Sequence, residues 1–438
     1  MLCNKEKRAE NKGKINYSTQ KNLRGDTVKV LQVNSVYDFG STGKITADIH
    51  RLLPQYGVDS VVCYGRRGKT EDSNVYRICD DFYSHIEHFR ANITGVMYGG
   101  CEISTQRLIR IIEREKPDVV HLQCLNGYFV NIYRLVEWLK NNHIPTVLTL
   151  HAEFMYTGGC GYSIDCNQWS TRKGCGHSIC PRYRSELKSL FGDRSSYMWH
   201  QMKKAFDGFD EELIIASVSP WLMERAARAP ILANKQHCVV YNGLDTNVFK
   251  SYDGADLRAK HHCENKKVVF HATPAFNNDP NHIKGGYYVI ELARRMPDVC
   301  FIVAGQVTGE LDVPPNLILL GKLDSQELLA RYYSMADATV LTSKRETFSM
   351  VCAESLCCGT PVVGFKAGAP EQIALKEYSR FVQQADLDQL VCAVENILNF
   401  SFDRVKLETE AQRTYAKSTM TEKYIALYTK LMHAESKE

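Results

Sequence analysis

Along the chain, short runs of consecutive apolar residues alternate with longer stretches in which apolar residues recur every three or four positions. The runs fall at 28–33, 58–63, 118–122, 145–150, 213–218 and 238–240, and again at 268–271, 301–304, 317–320, 338–341 and 361–365. Their length and content predict strands. Helical spacing follows residue 40, through Ile49, Leu52 and Leu53, and recurs at 132–141, 286–295, 326–335 and 420–432. Strands alternating with helices predict parallel sheets with right-handed crossovers. A polar stretch, 250–265, separates the two sets and reads as a linker. The expectation is an α/β protein built from two Rossmann-like units.

One segment departs from this rhythm. Between the runs 338–341 and 361–365 a short helix fits, with Ser349 as N-cap, Gly359 as its stop and Pro361 forbidding continuation. The helix is apolar nearly all round and should be buried. From Thr347 to Phe365 its only charged residue is Glu354. A buried carboxylate is costly unless something polar meets it. Glu346 stands just before the helix, at the end of a strand, where open α/β sheets bind ligands. His151 ends the run 145–150 at the same kind of edge. Lys284 precedes Gly285-Gly286 at a helix start, a place suited to neutralising phosphate. Gly40 and Gly43 lie in a strand–turn–helix arrangement that can accommodate phosphate, although read alone it is a tight turn.

Composition narrows the class. The 438 residues suffice for two or three domains, and 44% hydrophobic content supports large cores. No apolar run approaches the roughly 20 residues of a membrane span. Residues 1–26 hold seven Lys or Arg against three Asp or Glu, which is +4. They lack periodicity and read as a disordered basic arm, with no apolar segment of a secretory signal. The whole chain is also +4, so the remainder is formally neutral, which argues against nucleic acid as a partner. Sixteen cysteines without a signal fit a reducing cytoplasm.

The two glutamates, with seven residues between them in a strand–loop–helix frame, resemble the signature of the retaining nucleotide-sugar glycosyltransferases of family four. Asn242-Gly243-Leu244-Asp245 resembles that family's crossover, and Lys284-Gly285 its donor site. The resemblance covers about 28–432. It implies the GT-B arrangement, two Rossmann-like domains facing a cleft with a C-terminal helix crossing back to the first. The divisions would be an acceptor domain over 27–245, a donor domain over 246–415, and the crossing helix and tail over 416–438. It implies catalytic roles for Glu346, His151 and Lys284. Donor-binding roles would fall to Glu354, Phe348, Ser349, Met350, Gly40 and Gly43. The sequence departs from the family in three places. Ser349 stands where glycine is usual, His151-Ala152-Glu153 lacks the usual Asp after the histidine, and 272–276 lacks the usual Arg.

The implied reaction moves a hexose from a UDP- or GDP-sugar to a glycan or lipid-linked glycan, in bacterial surface polysaccharide synthesis. No cofactor would be required. The place would be the cytoplasm, with peripheral contact on the inner face of the membrane. Residues 156–182 are cysteine-dense and resemble a loop found in bacterial polysaccharide glycosyltransferases. Cys160, Cys166, Cys175 and Cys180 could hold a structural zinc tetrahedrally, with His177 in reserve, but their spacing is not that of paired knuckles. Metal and free thiols stay open. Two competing readings are an epimerase of the same fold and a non-enzymatic module with a metal-held loop.

Overall fold

Thirteen strands, each paired in parallel with its neighbours, form two sheets in this computed structural model, which describes residues 27–186 and 188–434. The expected basic arm over 1–26 lies outside the described residues. The first sheet holds β1 (Lys29–Asn34), β2 (Asp59–Tyr64), β3 (Val75–Arg77), β4 (Val119–Leu122), β5 (Thr146–Leu150), β6 (Leu213–Ser217) and β7 (Gln236–Val239). The second holds β8 (Val268–Phe276), β9 (Cys300–Val307), β10 (Leu317–Gly321), β11 (Ala338–Leu341), β12 (Val362–Phe365) and β13 (Ser379–Val382). Their orders are β3-β2-β1-β4-β5-β6-β7 and β10-β9-β8-β11-β12-β13. The central strands β4, β5, β6, β11 and β12 are buried along their whole length, because helices cover both faces. The order reverses between β1 and β4 and between β8 and β11. Such switch points open crevices at the carboxyl ends of the strands.

The predicted strands and helices occur within a few residues of their expected bounds, with informative exceptions. β8 runs on to Phe276, and its register slips between Ala272 and Ala275, where Pro274 cannot donate to the ladder. The stretch 250–265 is not a loose linker. It carries the helix Ala255–Lys260, buries Leu257 and Cys263, and ties Arg258 to the Met335 carbonyl at 2.6 Å and to Asp337 at 2.9 Å.

The C-terminal helix, Lys417–Ala434, returns to the first sheet as expected. It packs Met420, Tyr424, Tyr428 and Leu431 with Val30, Val119, Val147 and Ile214, beside the helix Gly40–Leu52. A buried polar chain fixes it there. The two ring nitrogens of His121 on β4 meet the Tyr428 hydroxyl at 2.7 Å and the Thr149 hydroxyl at 2.8 Å, and Thr149 meets Tyr424 at 2.9 Å. Burial, helped by the neighbouring His151, pushes the His121 imidazole down to about 3, so it is neutral. At the crossover, a Cβ on Gly243 would come 2.6 Å from the Lys417 Cα, so glycine is required by contact.

Candidate active site

The second domain sets Glu346 in place through its backbone. The Glu346 N–H donates to the Ala367 carbonyl at 3.0 Å, and the Ala369 N–H donates to the Glu346 carbonyl at 3.2 Å. The Glu371 carboxylate accepts from the N–H groups of Ala367 and Gly368, both at 3.0 Å, which holds that opposing loop. From the other side comes Lys284-Gly285-Gly286. Gly285 has φ +67 and caps the helix Gly286–Arg295; a Cβ there would lie 2.1 Å from the Thr342 carbonyl oxygen. A Cβ on Gly286 would lie 2.5 Å from the Asn277 carbonyl oxygen. Only glycines let this segment lie against the end of β11. The outcome is that Lys284 Nζ donates to Glu346 Oε1 at 2.7 Å, in a partly buried pair.

Behind this pair stands the helix Met350–Cys357. Ser349 caps it, its hydroxyl accepting from the Cys352 N–H at 3.3 Å, and does so at φ +80. That left-handed backbone is the conformation glycine adopts freely, so the departure at Ser349 is kept at a local conformational cost. Glu354 is buried on the helix, and Tyr333 donates to its Oε2 at 2.9 Å. Burial raises its carboxyl to about 7, against the opposing effects of the Tyr333 hydrogen bond and the Lys44 charge. Lys44 belongs to the helix Gly40–Leu52, so that helix reaches Glu354 electrostatically across the cleft. Gly40 and Gly43 are in the first turn of that helix, not in a loop before it. A Cβ on Gly43 would lie 3.1 Å from Val36 Cγ2 and 3.3 Å from the Asp38 amide nitrogen. The Phe348 side chain is buried against Tyr241 and Tyr415 at the crossover, so only its backbone is open to a ligand, and Met350 is half-buried.

The first domain brings His151 to the same place. The Thr347 hydroxyl donates to the His151 carbonyl at 2.8 Å, and the Ser219 hydroxyl donates to the Thr347 carbonyl at 2.7 Å. Gln123 sends its NH2 to Gln32 Oε1 at 2.9 Å, which leaves its Oε1 to accept from His151 Nε2 at 3.0 Å. Burial pushes the His151 ring down to about 4, so it is neutral at physiological pH, with its lone pair on Nδ1. Glu153 does not stand in for the missing Asp. It is wholly buried, pairs with Arg225 at 2.6 Å and accepts from the Ser163 N–H at 2.6 Å and the Tyr156 hydroxyl at 3.0 Å.

Those bonds belong to the cysteine-dense loop, where zinc and free thiols stood as alternatives. Among the described residues no three His, Cys, Asp or Glu side chains are grouped to hold a metal ion. Cys160 and Cys180 meet each other, and Cys175, against Gly158, lies near both and near the half-exposed Cys166. The loop also carries packing of its own. Tyr156 and Trp169 are fully buried edge to face at 5.3 Å, and the Arg225 guanidinium covers Trp169 at 4.5 Å.

Several residues that sequence reading passed over join the site. Tyr162, carried by the cysteine loop, lies beside Glu346 and Thr347; burial, helped by the Glu346 charge, pushes its phenol up to about 12. Trp221 is flanked by Arg225 at 4.8 Å and Arg345 at 5.2 Å, the latter one residue before Glu346. Arg345 Nε is buried with no partner among the described residues. No local pattern marks Tyr162 or Trp221. Their meaning comes from contacts between distant segments.

Two family models match the chain: "Glycosyltransferase Family 4" over 42–248 and "Glycosyl transferases group 1" over 281–414. WcaC of Escherichia coli K12, named as a colanic acid biosynthesis glycosyl transferase, is 23% identical over 428 residues, spanning 92% of this chain and 100% of its own. The D-inositol 3-phosphate glycosyltransferase of Mycobacterium sp. strain KMS is 32% identical, but over 143 residues, 30% of this chain and 32% of its own. Among solved structures, sucrose-phosphate synthase of Thermosynechococcus elongatus aligns with TM-score 0.61 at 15% identity, covering 93% of this chain and 100% of that one. Anabaena HepE in complex with UDP aligns with TM-score 0.60 at 14% identity, over 92% and 100%. At such identities these two establish the fold alone, and that fold is GT-B.

Proposed function

The chain belongs to glycosyltransferase family 4, and on that premise we propose that it moves a hexose, with retention, from a UDP- or GDP-sugar to a glycan or lipid-linked glycan hydroxyl. The observation that carries this reading is the meeting of Lys284 and Glu346 at 2.7 Å at the mouth of the Met350–Cys357 helix, with Glu354 buried behind them. Without a donor, each charge satisfies the other. An arriving diphosphate takes Lys284, and Glu346 is released toward the sugar. Glu354 accepts from the ribose hydroxyls. The amides at Ser349 and Met350 face the pyrophosphate, where a helix N-terminus favours an anion. Gly40 and Gly43 keep the opposite wall low.

In the reaction the bond from C1 to the leaving phosphate oxygen breaks and a bond from C1 to the acceptor oxygen forms. The acceptor proton goes to the leaving phosphate. Lys284 and the helix amides balance the charge that develops on that phosphate. Glu346 steadies the positive charge on the sugar ring. The neutral His151, held by Gln123, accepts from a sugar hydroxyl and stays uncharged.

The acceptor domain would be 27–245 and the donor domain 246–415, with 416–438 crossing back. A role in surface polysaccharide synthesis, at the inner face of the cell membrane, is supported by the full-length similarity to WcaC. The test is a melting screen against UDP-, GDP- and ADP-sugars, since a ligand of the native state raises its stability. One nucleotide class should raise Tm, and Lys284→Ala should weaken that nucleotide by about 1.5–3 kcal/mol, the range for a charge-assisted contact. Sugar release equally fast with and without acceptor would instead favour the epimerase or a hydrolase.

A further inference from the structure

The carboxyl edge of the first sheet holds a cation with nothing to neutralise it. Arg66 follows β2, and its N–H donates to the Ser35 carbonyl at 3.0 Å. The loop after β4 lies flat against it. A Cβ on Gly65 would come 2.3 Å from Phe129 Cγ, and one on Gly127 would come 3.3 Å from Arg66 Nε. Both glycines allow this close approach, so Arg66 is tightly seated. Its side chain is half-buried, and among the described residues it forms no hydrogen bond or ion pair; its Nε is buried without a partner. Taking part of a guanidinium out of water without a partner is costly. An arginine that serves packing alone keeps its whole head in water.

The surroundings favour an anion. Tyr128, the residue after Gly127, is held at φ +54, a left-handed conformation that costs a bulky residue energy and clusters at functional sites. Its ring stacks on His88 with centroids 4.5 Å apart. The His88 imidazole is held below its ordinary pKa by burial and then by the charges of Lys188, Arg66 and His85, with no carboxylate among them. The acids on these elements are engaged elsewhere. Asp81 pairs with Arg77 at 2.9 Å and accepts from the Arg67 N–H at 3.1 Å. Asp80 accepts from the Tyr83 N–H at 2.8 Å, and Glu87 lies against Gly100 and pairs with Arg90 at 3.4 Å.

The place is joined to the transfer centre. Tyr162, beside Glu346, also lies by Cys124, and Cys124 lies by Arg66. Tyr128 further lines a cavity of about 300 Å3, with Tyr197 and Arg194, at the lower end of the range for ligand pockets.

We propose that Arg66, with His88 and Tyr128, holds an anionic group of the acceptor, a phosphate or a carboxylate. The inference rests on the reading of the cleft as a site of glycosyl transfer, and it names the chemistry of the acceptor. A guanidinium fork meets two oxygens of either anion at once. A phosphate that links the glycan to a lipid supplies such a group, and so does the carboxylate of an acidic sugar.

Melting of the full chain at low salt with inorganic pyrophosphate, and separately with glucuronate, separates the two sources. Lys284→Ala serves as the reference chain, so that pyrophosphate at the donor site does not mask the effect. A rise in Tm with pyrophosphate alone assigns a phosphate, and a rise with glucuronate alone a carboxylate. Adding Arg66→Met, which keeps the stem, should lower the affinity for that anion at least tenfold. Without anion it should melt no lower than the reference, because it removes an unpaired, half-buried charge. Should it melt lower, Arg66→Lys decides: it keeps the charge but not the fork, and should still lose affinity several-fold. No rise with either anion, or a rise that the Arg66 variants leave unchanged, overturns the proposal. Arg66→Met in the unaltered chain should keep the nucleotide-induced rise in Tm. Absence of that rise in the unaltered chain would count against the proposed function, whereas absence of the anion response alone counts only against Arg66.

Discussion

At the scale of single residues, Glu354 is the most informative group. The sequence shows one carboxylate in an apolar helix. Its cost depends on the company it keeps, and that company, Tyr333 and Lys44, comes from other segments. Its folded pKa is raised from 4.5 to about 7, so the folded state binds more protons than the unfolded chain between those values. The protein is therefore favoured below pH 4.5 by this group, and loses on the order of 3 kcal/mol as pH rises to 7. Glu354→Gln should accordingly raise Tm at pH 8 and leave it unchanged near pH 4. Ribose hydroxyls that donate to the carboxylate favour its charged form. Nucleotide affinity in the parent should thus climb as pH rises toward 7, with proton release seen by calorimetry in buffers of different ionisation enthalpy. A pH-independent affinity in the parent would remove Glu354 from the ribose. Tyr162 makes a separate case. It lies beside Glu346, so Tyr162→Phe should lower kcat about tenfold, roughly 1.4 kcal/mol, while nucleotide affinity holds. An unaltered kcat would leave Tyr162 as packing for the loop.

At the scale of elements, strands were the most legible feature. A strand buried on both faces is a run of apolar residues, and such runs need no partner to be recognised. The helices Asp81–Thr94 and Arg404–Tyr415 were not legible, because their buried faces are narrow or polar, whereas Glu102–Glu115, Pro220–Arg228 and Leu387–Asn399 carry clear helical spacing that the sequence reading passed over. The Ser349 cap and Gly359 stop were legible because capping is chemistry local to a few residues. The choice between zinc and free thiols was not legible for a related reason. Spacing showed four thiols but could not show that Trp169, Tyr156 and the Glu153–Arg225 pair order the loop. The crossing helix offers a test at this scale. Tyr428→Phe leaves one nitrogen of buried His121 unpaired, which should cost about 1–3 kcal/mol. Gly243→Ala drives a methyl into the Lys417 backbone and should cost at least as much. Urea unfolding measures both, and a change below about 0.5 kcal/mol in either would mean the helix is not held there.

At the scale of the molecule, two alternating halves were readable from the pattern, but how they face each other was not, since no residue pattern records a contact between domains. That contact is a small latch beside Glu346. Thr347 and Ser219 exchange hydrogen bonds with the opposite backbone, and Trp221 sits between Arg225 and Arg345. The Gly368 backbone presses on it so closely that a Cβ would lie 2.7 Å from Trp221 Cε2. Of the two cation–π contacts only Arg345 over Trp221 crosses between the halves, since Arg225 shares the Trp221 helix; it supplies about 0.5–1 kcal/mol, and the hydrogen bonds about 1 kcal/mol each. This sum is small beside the apolar core that continues through the crossover. The latch should therefore govern the cleft without governing the fold. Trp221→Ala should widen the radius of gyration seen by small-angle scattering, with Tm within a few degrees of the parent. Donor binding, proposed to rest on Lys284 and Glu354 of the second domain, should hold. Turnover should fall more than tenfold, because Tyr162 would leave Glu346 and His151 would lose its hold on neighbouring Thr347. An unchanged radius together with full turnover would show that the halves keep their arrangement without Trp221.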